Sequence, residues 1–165
     1  MKPIASGLAS ALDWLETALA WLAAGLVLYI MATISADVIG RYFLGSPIGW
    51  AIEFAEYALL AIPFLSMAWL VREGGHVKID LVLNALPPPT RATLNAVTNF
   101  LAALTCGAAA YFAIATTVSQ YERGVVTIGI YPMPKYLLIA LIALGLTLGA
   151  IELLRATARA WHGER

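Results

Sequence analysis

Apolar residues run through this chain in four long blocks, and the charged positions between them set the block lengths. Between Glu16 and Asp37 lie 20 residues without a charge, a helix of about 30 Å, which is one hydrocarbon thickness. Tyr57 to Val71 gives 15, extended by the apolar residues around Glu53 and Glu56; residues 92 to 121 give 30, and Tyr136 to Ile151 gives 16 with Leu153 and Leu154 beyond. The pattern predicts an all-α, integral membrane four-helix bundle in a single domain covering residues 1–165, with spans near 15–37, 50–71, 92–120 and 135–155. Two shorter segments are expected on the membrane surface. In residues 4–14, Ile4, Leu8 and Leu12 recur at helical spacing opposite Ser6, Ser10 and Asp13. In residues 77–86, apolar positions surround Lys78 and Asp80 until Pro87, Pro88 and Pro89 stop the segment.

The first block is read as a span and not as a cleaved signal peptide, because its apolar run is too long and acidic residues precede it. Basic residues set the expected orientation. Placing both termini in the cytoplasm puts seven inside (Lys2, Arg72, Lys78, Arg91, Arg155, Arg159, Arg165) and three outside (Arg41, Arg123, Lys135). Trp14, Trp69 and Trp161 then lie near the inner interface, and Tyr42, Trp50, Tyr131 and Tyr136 near the outer.

Composition supports the membrane reading: 61% of residues are hydrophobic and 12% charged, about half the charge of a soluble domain. Zero formal net charge leaves no basic field for nucleic acid. A single cysteine, Cys106, forms no internal disulfide, redox pair or zinc cluster, and is expected as a small packing residue. Haem would need histidines within the bundle, whereas His76 and His162 both fall at span ends. No HExxH, GxSxG or phosphate-cradling loop occurs. The expectation is a non-enzyme without cofactor or metal.

Two packing surfaces stand out. Gly145 and Gly149 make a GxxxG step in the fourth span, and Ala102, Cys106, Ala109 and Ala113 line one side of the third; such small residues let helices approach closely in lipid. Either surface could meet the other or a partner chain. Pro63 is expected to kink the second span.

Two polar groups carry the candidate chemistry. At the outer ends of the first two spans, Asp37 and Arg41 share a helix face, and Glu53 and Glu56 face back across the loop 45–49. They are read as an interfacial salt-bridge cluster in which Arg41 is the counter-charge for Glu53 or Glu56; the alternative is that one of these glutamates pairs with another chain or binds a cation. The second group is Arg72-Glu-Gly-Gly-His-Val-Lys-Ile-Asp80, where Arg72 ends a span and the glycines allow a sharp turn. His76 and Asp80 are expected to hold that turn and the surface helix after it, with a proton switch at His76 as the alternative.

In order and spacing, Asp37, Arg41, Pro47, Trp50, Glu53 and Tyr57, followed by Arg72, Gly75, His76, Val77 and Asp80, resemble the DctQ-like small membrane subunit of the tripartite ATP-independent periplasmic (TRAP) transporters. The likeness is densest over residues 12 to 90 and looser beyond residue 92. There Ile130-Tyr-Pro132 is similar to the family's Ile-Pro, with Met133-Pro134-Lys135 where an aromatic usually follows. The resemblance implies a scaffold subunit in the bacterial inner membrane, beside a large TRAP membrane subunit that moves substrate by an elevator motion driven by a sodium gradient. A periplasmic substrate-binding protein would deliver the substrate, commonly an organic acid with a carboxylate. The lipid bilayer is the other implied partner. The rival readings are a stand-alone proton-coupled small exporter, which would want a carboxylate within residues 17–36, and the membrane anchor of a redox enzyme.

Overall fold

The computed structural model describes residues 2–74 and 88–162 and holds four helices: α1 (Lys2–Phe43), α2 (Ala51–Arg72), α3 (Pro88–Glu122) and α4 (Lys135–His162). All four are long and apolar enough to cross a membrane. His76, Asp80 and the expected surface segment 77–86 lie outside the described residues. Residues 4–14 belong to α1, which runs unbroken for 42 residues, about 63 Å. The 22 residues of α2 rise about 33 Å, one hydrocarbon thickness, and continue through Pro63 as a single helix.

Long packing seams join α1 to α2, α2 to α4, and α4 to α3. The helices are therefore ordered α1–α2–α4–α3 across the bundle, with α1 and α3 on the flanks and least covered by protein. The seams are built from small residues. α2 buries Ala51, Ala55, Ala58, Leu65, Ala68 and Val71, spaced three, four or seven apart along one stripe. α3 buries Ala96, Ala103 and Ala110, one heptad apart. Lipid chains are as apolar as leucine, so close backbone approach and van der Waals contact hold such helices together.

The GxxxG step of α4 shows this most directly. A Cβ added at Gly145 would overlap the Phe64 carbonyl of α2, and one at Gly149 would come within 2.9 Å of Met67 Cε. Both glycines thus serve the α2–α4 seam inside this chain. Ala102 and Cys106 pack against a cluster of Val71, Ala103 and Leu153, contributed by α2, α3 and α4. Ala109, expected on the same side, is exposed, and its neighbour Ala110 is the buried residue.

Three helices are followed by a glycine in the left-handed region where the chain turns: Gly45 after α1, Gly74 after α2 and Gly124 after α3. After α3 the Gly124 and Val125 amides donate to the Tyr121 and Gln120 carbonyls, the paired bonds of a Schellman ending.

Candidate functional site

Ionisable groups collect at the two ends of the bundle. One end, the terminal face, carries the start of α1 and the ends of α2 and α4. The other, the loop face, carries the α1–α2 and α3–α4 connections.

On the terminal face α1 contributes Asp13, Glu16 and Thr17, α2 contributes Arg72, and α4 contributes Glu152, Arg155 and Arg159. Arg72 reaches back across α1, donating to the Asp13 carbonyl (2.6 Å), Thr17 Oγ1 (2.9 Å) and Glu16 (3.4 Å). Arg155 bridges Asp13 Oδ1 and Glu152 Oε2, each at 2.8 Å, and Arg159 holds the other oxygen of Glu152. Glu16 is 1% exposed and Glu152 is fully buried. Such carboxylates persist only when paired and hydrogen-bonded, and here three guanidiniums meet three carboxylates across three helices. Of these residues the sequence had singled out Arg72 alone. The others were visible as Glu152 and Arg155 three apart, and Asp13, Glu16 and Thr17 within one turn, but nothing in sequence spacing aligns α1 with α4.

The loop face is organised differently. Arg41 pairs with Asp37 at 2.7 Å, one turn away on its own helix, and not with Glu53 or Glu56. Asp37, 3% exposed, also accepts the Ile48 amide at 2.7 Å, so one carboxylate pins the α1–α2 loop to α1. With Arg41 satisfied locally and half exposed, Glu53 turns the other way. Its Oε2 accepts the backbone amides of Ile130 (3.0 Å) and Tyr131 (3.1 Å), and its Oε1 accepts the Tyr57 hydroxyl (2.9 Å).

Tyr57 also lies 3.0 Å from Thr127 Oγ1, which accepts the Met133 amide. A phenol has one proton, so Tyr57 donates to Glu53 while the Thr127 hydroxyl donates to Tyr57. Residues 125–135 fold back on themselves through the Thr127 amide to the Met133 carbonyl (2.8 Å) and the Lys135 amide to the Val125 carbonyl (3.0 Å). A Cβ at Gly129 would collide with the Glu53 carboxylate, so the loop approaches this closely only because position 129 is glycine.

Trp50, immediately before α2, packs edge-on against Phe54, whose ring also meets Tyr131. Between α2 and residues 127–130 runs an open groove of about 500 Å³. Glu56 lines it, exposed and without an ion pair or hydrogen bond among the described residues. The same residues contain no group of three His, Cys, Asp or Glu side chains arranged to hold a metal.

Each rim thus uses its carboxylates to tie helices or loops together, as expected of a membrane framework. The chain also matches the model of the DctQ component of tripartite ATP-independent periplasmic transporters over residues 30–163. It belongs to that DctQ family.

Among curated proteins, the Halomonas elongata ectoine TRAP transporter small permease protein TeaB is 28% identical over 123 residues, 72% of this chain and 64% of TeaB. The Haemophilus influenzae sialic acid TRAP transporter permease protein SiaT is 29% identical over 75 residues, 46% of this chain and 12% of SiaT. The chain therefore spans less than two thirds of either relative. As a DctQ-family protein with four membrane-crossing helices it is a multi-pass inner-membrane component of a TRAP transporter and not an enzyme.

Proposed function

We propose that this chain is the small scaffold subunit of a sodium-gradient-driven TRAP transporter that takes up an organic acid, assembled with a large permease subunit and served by a periplasmic binding protein. Both termini lie in the cytoplasm in this reading, by the excess of basic residues at the terminal face. The observation that carries it is how the buried carboxylates are used. Glu16, Asp37 and Glu152 are each engaged by a guanidinium of the same chain, and Asp37 by a loop amide as well, all at the bundle ends. Secondary transporters usually bind substrate near the bilayer midplane. Here the α2–α4 seam between the two ends is apolar, with Phe64 and Met67 of α2 set against Gly145 and Gly149 of α4.

The relatives support a substrate site elsewhere. Chains similar to this one occur in transporters named for ectoine and for sialic acid. The segment matched in SiaT is 12% of a much longer permease protein, which fits a small-subunit-like portion working beside a larger one.

Reconstitution in liposomes with an imposed sodium gradient tests the reading, adding this chain, the large subunit and the binding protein singly and together. Uptake of a labelled organic acid is expected only with all three. Uptake by the 165-residue chain alone would overturn the scaffold role and restore the small-exporter reading.

A further inference from the structure

Sequence spacing leaves open which of Glu53 and Glu56, if either, is answered by another chain. The structure separates them. Glu53 commits both oxygens inside this chain, one to the Tyr57 hydroxyl and one to the Ile130 and Tyr131 amides. Glu56, one turn further into α2, lines the groove with no ion pair or hydrogen bond among the described residues. The buried carboxylates Glu16, Asp37 and Glu152 are each answered by a guanidinium.

Depth makes this difference matter. Arg72 ends α2 at the terminal face, and Glu56 stands about 24 Å back along the helix. A hydrocarbon layer is about 30 Å thick, which sets Glu56 about 6 Å inside the loop-face boundary when Arg72 marks the opposite one. Glu53, at about 28 Å from Arg72, reaches that boundary. A helix N-terminus favours an acidic residue in its first turn, but Glu56 lies beyond that turn and gains little from the dipole. Glu122, Arg123 and Lys135 stand at helix ends, where water answers them. A carboxylate within the layer is costly and calls for a counter-charge.

The groove suits a long cationic side chain. Ile52 of α2 and Ile128 and Ile130 of the loop give it apolar walls, all of them exposed. The Glu53 clamp and the close approach at Gly129 hold the loop wall against α2. A lysine or arginine can lay its methylene stem along the isoleucines and set its head on Glu56. A bare metal ion would find no group of three acidic, histidine or cysteine side chains among the described residues.

We propose that the groove between α2 and residues 127–130 receives a lysine or arginine from a membrane helix of the large permease subunit, which pairs with Glu56 just inside the loop-face boundary; this rests on the small-subunit reading above. A soluble partner docking from outside would meet the loops first and leave a carboxylate at that depth unanswered. A second copy would have to offer Arg123 or Lys135, which sit at helix ends and not within a span.

The test uses the chain co-expressed with its large subunit. A benzophenone amino acid at position 52, beside Glu56 in the groove, should cross-link to the large subunit on illumination. Glu56→Gln should weaken retention of the large subunit by about 10-fold or more, the effect of truncating one partner of a desolvated charge pair. The amount of small subunit in the membrane should not change, because Glu56 holds nothing within its own chain. Glu122→Gln, which removes a carboxylate of the same face outside the groove, should leave retention unchanged. Glu56→Arg should abolish it, and changing one basic residue of the cross-linked helix to glutamate should restore it.

Full retention by Glu56→Gln, an equal loss with Glu122→Gln, or cross-links from position 52 only to lipid or to a second copy would each overturn the pairing while leaving the subunit role intact. A wild-type chain that retains no large subunit would overturn both.

Discussion

The two ends of the bundle hold similar numbers of carboxylates by different means. At the terminal face α1, α2 and α4 run side by side, and their amides and carbonyls are largely paired within the helices. Side chains must therefore answer the carboxylates, and Arg72, Arg155 and Arg159 do so. At the loop face the chain leaves helical geometry twice, and its loops carry amides with no ladder partner. Asp37 takes the amide of Ile48, and Glu53 takes those of Ile130 and Tyr131. One end consequently ties helix to helix, and the other ties loops to helices. A charge in a membrane protein is answered by whatever donors the local backbone leaves free.

If that contrast is right, the terminal face should be the more sensitive to loss of a cation. Arg72→Ala removes the donors to Glu16, Thr17 and the Asp13 carbonyl, and leaves a glutamate that is 1% exposed without its guanidinium. The expected cost is about 3–5 kcal/mol, read as loss of folded protein in thermal unfolding in detergent micelles. Adding Glu16→Gln should restore much of it. A double variant as unstable as the single one would mean that the ion pair is not what holds α1 to α2.

At the loop face the largest effect should follow the carboxylate, not the cation. Glu53→Ala leaves the Ile130 and Tyr131 amides and the Tyr57 hydroxyl without their acceptor, at about 2–3 kcal/mol since the loop amides can turn to water. Amide exchange at Thr127–Tyr131 should rise sharply while the midspan of α2 stays protected. Equal deprotection of both would show that the loop does not depend on this clamp.

Gly129→Ala attacks the same clamp from the other side by driving a methyl into the Glu53 carboxylate. About 1–3 kcal/mol is expected, with the same exchange signature. The smallest effect belongs to Arg41→Ala, below about 1 kcal/mol, because Arg41 is half exposed and Asp37 keeps the Ile48 amide. Destabilisation as large as that of Arg72→Ala would erase the difference between the two ends.

The Arg41 case marks where sequence reasoning stopped short. Asp37 and Arg41 were legible as a pair because a helix sets residues four apart side by side. That Arg41 ignores Glu53 and Glu56 was not legible, since it depends on the loop of residues 125–135, far along the chain, folding over the start of α2. Glu16 and Glu152 look in sequence like charges that end apolar runs, yet they are the two most deeply buried large side chains. Glu16 is answered from α2 by Arg72, while Glu152 is answered by Arg155 and Arg159 of its own helix and joined to α1 through the Arg155–Asp13 pair; helix phase alone does not align α1, α2 and α4 in depth.

The sequence by itself determined the number of spans, because hydrocarbon thickness translates directly into a count of uncharged residues. It also pointed to the family, through the order and spacing of Asp37, Arg41, Trp50, Glu53 and Tyr57, and the family model matches residues 30–163. The tertiary structure alone decided the order α1–α2–α4–α3, the use of Gly145 and Gly149 against α2, and which of Glu53 and Glu56 is left unpaired. Those properties depend on which faces meet. In lipid any apolar face can meet another or the bilayer at similar cost, so small differences in shape choose among them.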